Sequence, residues 1–311
     1  MALAAFLVAG ALITAVLAPR ALGALTSRAS DPTLGLATWL IVLGSVIATT
    51  GLGVVLILLP GHGAGSILTA AVYNCWATVR HGGIPRLDET LGSVGAVVAG
   101  AAVVRLTYVA ARDTRRRRSR RNHQLDALAL VGRVDGDGTV WIPGRQPAAF
   151  CLAGRRRVVV ATTALDELPG PARAAVLAHE HAHLAGRHHL LLAVVDAVCT
   201  AMPPLPLFRA APEAVRELAE LAADHRAARR CGAIAVRHAL LAISGFRAPP
   251  QALAMRTGAV EGRLAALDRA PGLVHRRTAA VRRLLACGAA LLCPIAATAV
   301  LASGLALFSC S

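Results

Sequence analysis

"AVLAHEHAHLAGRHH", Ala175 to His189, packs five histidines and one glutamate into fifteen residues. Within it His179, Glu180 and His183 form H-E-x-x-H. On a helix of 3.6 residues per turn the two histidines stack on one face, so their imidazoles can share one metal ion. Glu180, next to the first of them, is then placed to take a proton from an attacking water that zinc makes more acidic, and to hand it to a leaving amine. A bare H-E-x-x-H also arises by chance, and helix histidines are often plain surface residues. Here the setting favours the metal reading: Pro171 opens a helix just after Gly170, β-branched stretches precede it, and acidic residues follow.

A catalytic zinc site needs a third protein ligand and an open fourth position. Two residues compete for that role. "HEHAHLAGRHH" fits H-E-x-x-H-x-x-G-x-x-H, the metzincin pattern, with Gly186 as the turn, His189 as ligand and Met202 where a Met-turn is sought. Alternatively, Glu220 in "AELAADHRA" completes the set. Asp224, four residues on and on the same helix face, would then brace a ligand histidine. Glu213 and Glu217 read as an ordinary solvated face. His181, His188 and His225 read as helix-surface polar residues. His238, His275 and several arginines are candidates for stabilising an oxyanion, each with a structural role as the plainer reading.

Around this motif the chain is unusually apolar: 56% of its 311 residues are hydrophobic, with mean hydropathy +0.58. That composition excludes an ordinary soluble globule and points to a membrane protein. Four stretches approach the 20 or so apolar residues needed to cross a bilayer: about 2–18, 34–59, 90–111 and 284–308. Residues 66–79 are apolar but short and read as an interfacial or re-entrant segment. Arg105, near the end of the third stretch, can snorkel to an interface. Basic residues follow the first stretch (Arg20, Arg28) and the third ("RDTRRRRSRR", 112–121), and precede the fourth (Arg276, Arg277, Arg282, Arg283). All fall on one side if the N-terminus is outside, which puts 112–283 in the cytoplasm and the C-terminus outside the cell membrane.

No lysine occurs, so all 33 basic side chains are arginine, and the formal net charge is +16. A nucleic-acid binder can look like this. The run at 112–121 abuts a span and has no interleaved aromatics, so it reads as an anchor on anionic lipid headgroups, and no direct nucleic-acid contact is expected. The seven cysteines form no C-x-x-C pair and read neither as a disulfide framework nor as a thiolate zinc site.

Residues 112–283 therefore read as one domain between three spans (1–111) and a last span with a short tail (284–311). "TVWIPGRQPAAFCLAG" and "RRRVVVATTAL" read as two short strands after a turn at Asp135 to Gly138. The second is expected to form the edge of the cleft and to pair with an extended substrate. The H-E-x-x-H helix comes next. Residues 190–208 read as a buried or membrane-grazing helix with a proline-rich turn, and a polar helix follows from about Glu213 to Cys231, stopped by Gly232.

In this order the segments "AAFCLAG", "RVVVATTAL", "AVLAHEHAHLAGRHHLLL", "PPLPLF" and "LAELAADHRAARRCG", with three spans before and one after, resemble the BlaR/MecR-type membrane zinc peptidases, especially their short actinobacterial relatives. The resemblance covers most of the chain. It implies a polytopic α-helical membrane protein with an inserted, mainly helical α+β domain of zincin-like, gluzincin type. It implies Zn2+ held by His179, His183 and Glu220, Glu180 as the base, and Asp224 behind a ligand, with His189 left out. It implies a signalling endopeptidase that acts on a cytosolic BlaI-like winged-helix repressor, with a protein substrate, the lipid bilayer and a homo-oligomer as partners. Antibiotic-sensing members of that family carry a penicillin-binding domain after the last span. Here only "SCS" follows residue 308, and a serine–lysine acylation motif is impossible without lysine, so direct β-lactam acylation is not expected. The alternatives are an HtpX-like quality-control protease and a non-enzymatic, zinc-bound receptor.

Overall fold

Two long apolar helices begin the chain, α1 (Ala2–Arg28) and α2 (Pro32–Leu58). Asp31 starts the second: its Oδ1 accepts the Thr33 N–H at 3.0 Å, which satisfies one of the orphan donors of the first turn. α1 continues through Pro19, beyond the expected end of its apolar stretch at residue 18. The proline removes one backbone hydrogen bond. Its cost is offset by a buried stripe that runs across it, Ala11, Ala15, Ala18 and Leu22. These small residues meet Trp39, Val42, Leu43 and Val46 of α2. The opposite faces (Leu12, Ile13, Val16 and Leu17; Leu52, Val55 and Leu56) are exposed. Both helices are long and apolar enough to cross a membrane.

The computed structural model describes residues 2–28, 31–58, 97, 100–116, 119, 132–136, 138–152, 157–246 and 253–268, with isolated positions at 288, 292, 294, 296 and 299. The third expected span is described at 97 and from 100, where the chain is helical to 116. Apart from those isolated positions the fourth expected span lies outside the described residues, as do the 60–89 loop and His275. Arg105 reaches the end of a neighbouring helix, where its Nη2 donates to the Thr200 carbonyl at 3.1 Å.

Among the described residues a short strand, β1 (Arg133–Val134), precedes the Asp135–Gly138 turn, and the region expected to hold two strands holds three: β2 (Val140–Ile142), β3 (Ala149–Leu152) and β4 (Val158–Thr162). Pro143 and Gly144 break the first expected strand into β2 and β3. A Cβ at Gly144 would lie 2.8 Å from the Thr162 methyl, and the Thr162 hydroxyl bonds both the Gln146 carbonyl (2.8 Å) and the Ala148 N–H (2.9 Å). The sheet order is β1-β2-β4-β3, with β2 and β4 parallel and the other pairs antiparallel. β4 is therefore an interior strand. The expectation that "RVVVATTAL" forms a free edge is wrong, because its backbone already pairs on both sides; among the described residues the edge on that side is β3.

A 3-10 turn, Thr163–Glu167, leads into α3 (Gly170–Ala185), with Pro171 in its first turn as expected. Then come α4 (His188–Ala201), α5 (Pro206–Cys231), α6 (Ala233–Phe246) and α7 (Leu253–Asp268). α5 starts two turns before the expected Glu213, because Pro206 is a good first-turn residue and Pro212 is tolerated inside. Two cores result. One joins the sheet and α3 to α5, α6 and α7 through Ala149, Ala161, Leu165, Val176, Ala227, Val236 and Leu267. The other joins α1 and α2 to the first half of α5 through Leu207, Phe208, Ala211, Val215 and Leu218, with Val195 of α4.

Gly35 sits at that second junction. A Cβ there would lie 3.0 Å from Leu218 Cδ2 and 3.1 Å from the Thr26 methyl. Gly35→Leu should overpack it and cost about 1–3 kcal/mol. Thermal unfolding in detergent should show a lower Tm than for Gly23→Leu, a position with nothing within 4 Å of its Cβ.

Candidate metal centre

α3 presents His179, Glu180 and His183 in consecutive turns, as the i, i+4 spacing requires. Opposite it, α5 presents Glu220 and Asp224. The buried faces of both helices are largely alanine (Ala175, Ala178 and Ala182; Ala219, Ala222, Ala223 and Ala227). Such short side chains let two helix backbones approach closely enough for polar groups to meet between them.

The donor atoms of His179, His183 and Glu220 converge. His179 Nε2 lies 3.0 Å from His183 Nε2 and 3.5 Å from Glu220 Oε2, and His183 Nε2 lies 3.4 Å from Glu220 Oε1. Zinc binds imidazole nitrogen and carboxylate oxygen at about 2.0–2.1 Å, so two ligands of a tetrahedral ion are roughly 3.3 Å apart. The residues present therefore fit a zinc ion, and among the described residues they are the group of three that could hold a metal. His189 is outside that group. Its Nδ1 is buried without a hydrogen bond, and Met202 packs against the α1–α2–α5 core.

Asp224 is 1% exposed. Its Oδ1 lies 2.9 Å from His179 Nδ1, a close ion-pair contact more than an aligned hydrogen bond. Both of its oxygens accept from Arg263 on α7, from Nε and Nη2, at 2.6 Å each. Arg263 Nη1 also lies 3.4 Å from Glu220 Oε2. Nothing in the sequence singled out this arginine among 33, and no acidic motif sits near it to mark it. It is the part of the site that only folding reveals. His238, the other basic candidate described, is exposed on α6.

These contacts move the titrations. Burial opposes charge on His179, yet the carboxylates of Asp224 and Glu220 raise its pKa to about 9. Burial and the neighbouring charge of His179 push His183 down, to about 4. Burial disfavours charge on Glu220 and Asp224, but the histidines and Arg263 hold both carboxyls below the usual range. β3 packs on α3, and burial, then the Glu180 carboxylate, pushes its Cys151 thiol up to about 11.

His188 overturns its surface reading. It is buried, and its Nδ1 lies 2.9 Å from Nδ1 of His183. His181 bonds the Leu177 carbonyl along its own helix through Nδ1, at 2.8 Å, and stays off the metal face. Glu213 and Glu217 are exposed, as expected.

Residues 116–248 match the model of peptidase family M48. No curated protein and no solved structure matches the chain. The M48 match contains His179, Glu180, His183, Glu220 and Asp224 and ends before Arg263. It supports a metallopeptidase domain, and with it protease activity on a protein substrate. With the two apolar helices ahead of it, the M48-like region is consistent with membrane association.

Arg263→Met should leave the Asp224 charge buried and half-paired, at a cost of about 3–5 kcal/mol. Urea unfolding of the metal-free chain at pH 7 measures it. The sign with pH follows from the depressed Asp224 value. Its contribution is complete above the unfolded carboxylate range and declines as pH falls through the folded value. The penalty of Arg263→Met should therefore shrink in acid, below about pH 4.

Proposed function

We propose that this chain is an integral-membrane zinc metalloendopeptidase with a gluzincin-like site. His179, His183 and Glu220 are its metal ligands, Glu180 is its general base and Asp224 braces His179. The observation that carries this reading is the convergence of His179, His183 and Glu220 from two helices, with nitrogen and carboxylate oxygen atoms 3.0 to 3.5 Å apart, next to a glutamate at the H-E position. When bound, zinc supplies Lewis acidity that makes water a nucleophile near neutral pH and polarises a carbonyl. Glu180 then removes a proton from the attacking water and returns it to the departing amine. Asp224, itself clamped by Arg263, holds the His179 ring in place.

The substrate backbone docks on β3. Ala148 accepts from the Thr162 N–H, so the even-numbered residues of this strand bond β4, and Ala149 and Cys151 turn their backbone groups to the open edge. An extended peptide that pairs there lies alongside Glu180. The substrate we infer is a cytosolic winged-helix repressor, with the N-terminus of the peptidase outside the cell and its catalytic domain in the cytoplasm. Support comes from the arginine-flanked apolar helices and from the packing of α5, which carries Glu220, directly on α1 and α2. A signal that shifts those helices has a short physical route to a metal ligand.

Glu180→Gln should lower peptide-bond cleavage by about 10²–10⁴-fold while zinc content, by atomic absorption, stays at the wild-type level. Glu220→Ala should lose zinc and cleavage together; a His189→Ala variant that alone loses zinc would overturn the ligand set. On β3, Cys151→Pro removes an outward N–H that Cys151→Ala keeps. Loss of that hydrogen bond should lower kcat/KM by roughly 2- to 12-fold relative to the alanine variant, and equal values would remove substrate pairing from β3. Co-expression with a BlaI-like winged-helix repressor should give Glu180-dependent fragments on an immunoblot.

A further inference from the structure

The second ligand histidine has a support of its own, and it comes from the stretch after the H-E-x-x-H motif. His183 directs Nε2 towards His179 and Glu220, so its Nδ1 lies on the far side of the ring. There it meets Nδ1 of His188 at 2.9 Å, with the two rings nearly perpendicular (88°) and 4.9 Å between centroids. His188 is only 8% exposed although it is the first residue of α4. The turn before it makes this geometry. α3 ends at Gly186, Arg187 takes the left-handed conformation (φ 50°, ψ 34°), and α4 leaves at 54° to α3. The His188 ring folds back onto Gly186, where a Cβ would lie 2.3 Å from its Nε2 and 2.6 Å from its Cδ2. Gly186 is thus the space that the ring occupies.

Two nitrogens facing each other share one proton, and the two arrangements differ in consequence. If His188 donates, the neutral His183 carries its proton on Nε2 and cannot give that lone pair to a metal. If His183 donates, His188 accepts on Nδ1 and keeps its own proton on Nε2, and His183 Nε2 is free to ligate. We propose that His188 is a positioning residue for the second metal ligand: it fixes the ring and the tautomer of His183, as Asp224 does for His179, and the Gly186–Arg187 turn exists to place it. The two ligands then have unlike supports, a buried carboxylate behind one and a neutral imidazole behind the other. This inference rests on the zinc-site reading above.

The test is zinc affinity of the full-length chain in detergent, measured by competition with a chromophoric chelator. The visible spectrum of the Co2+-loaded protein and the Tm of the metal-free form are recorded alongside. His188→Phe fills the space without an acceptor and should weaken zinc binding about 10- to 100-fold, with an altered cobalt spectrum and little change in the metal-free Tm. His188→Asn, which places an acceptor oxygen near the Nδ1 position, should recover most of the affinity. Gly186→Ala should displace the ring and weaken binding without touching a ligand. Wild-type affinity in His188→Phe would overturn the assignment. So would equal losses in the Asn and Phe variants, or, if the Phe variant unfolds, wild-type affinity in Gly186→Ala. A wild-type chain that binds no zinc would remove the metallopeptidase reading itself, a result distinct from any of these.

Discussion

A single carboxylate, Asp224, is 1% exposed at the meeting of three helices, and the arrangement of the site depends on how its charge is answered. Burying an isolated carboxylate is costly, so it must find partners that stay charged or donate strongly. It finds a guanidinium fork from α7, at 2.6 Å to each oxygen, and the outer nitrogen of His179 on α3. Arg263 in turn reaches Glu220, one helical turn before Asp224 on α5. The same electrostatic knot therefore orients both His179 and Glu220. Pairing of this kind narrows the geometry more than it stabilises the fold, since desolvation consumes much of the Coulombic gain.

Everything else in the domain serves that meeting. Alanine-lined faces let α3 and α5 come close. The sheet lies against the start of α3 and presents β3 at its open edge beside Glu180. On its other flank α5 shares a core with the two apolar helices, and Leu218, in contact range of Gly35, is two residues from Glu220. The helix that carries Glu220 is thus also the element that touches the two apolar helices.

Several features were legible in the chain itself because they are local. A proline at a helix start, a glycine at a helix stop and an i, i+4 pair of histidines each act within a turn or two, and α3 and the end of α5 follow them closely. Whether Glu220 or His189 joins His179 and His183 was open on spacing alone. Both candidates satisfy a known pattern, and a pattern carries no information about which way a turn bends. The left-handed Arg187 sends the chain off at 54°, so His188 turns inward and His189 does not join the ligand group. Strand order was likewise hidden. A run of valines reads as a strand wherever it sits, and only pairing on both sides shows that β4 is interior.

By itself, then, the sequence determined the H-E-x-x-H motif on its helix, the apolar helices at the start of the chain and the acidic pair one turn apart downstream, because periodicity and capping are short-range. Only the tertiary structure decided that Arg263 clamps Asp224, that His188 stands behind His183, and that β3 and not β4 is an outer strand among the described residues. Each of these joins residues from different elements, some as far apart as the 39 positions between Asp224 and Arg263, and side chains so separated are brought together by packing, which no local pattern records.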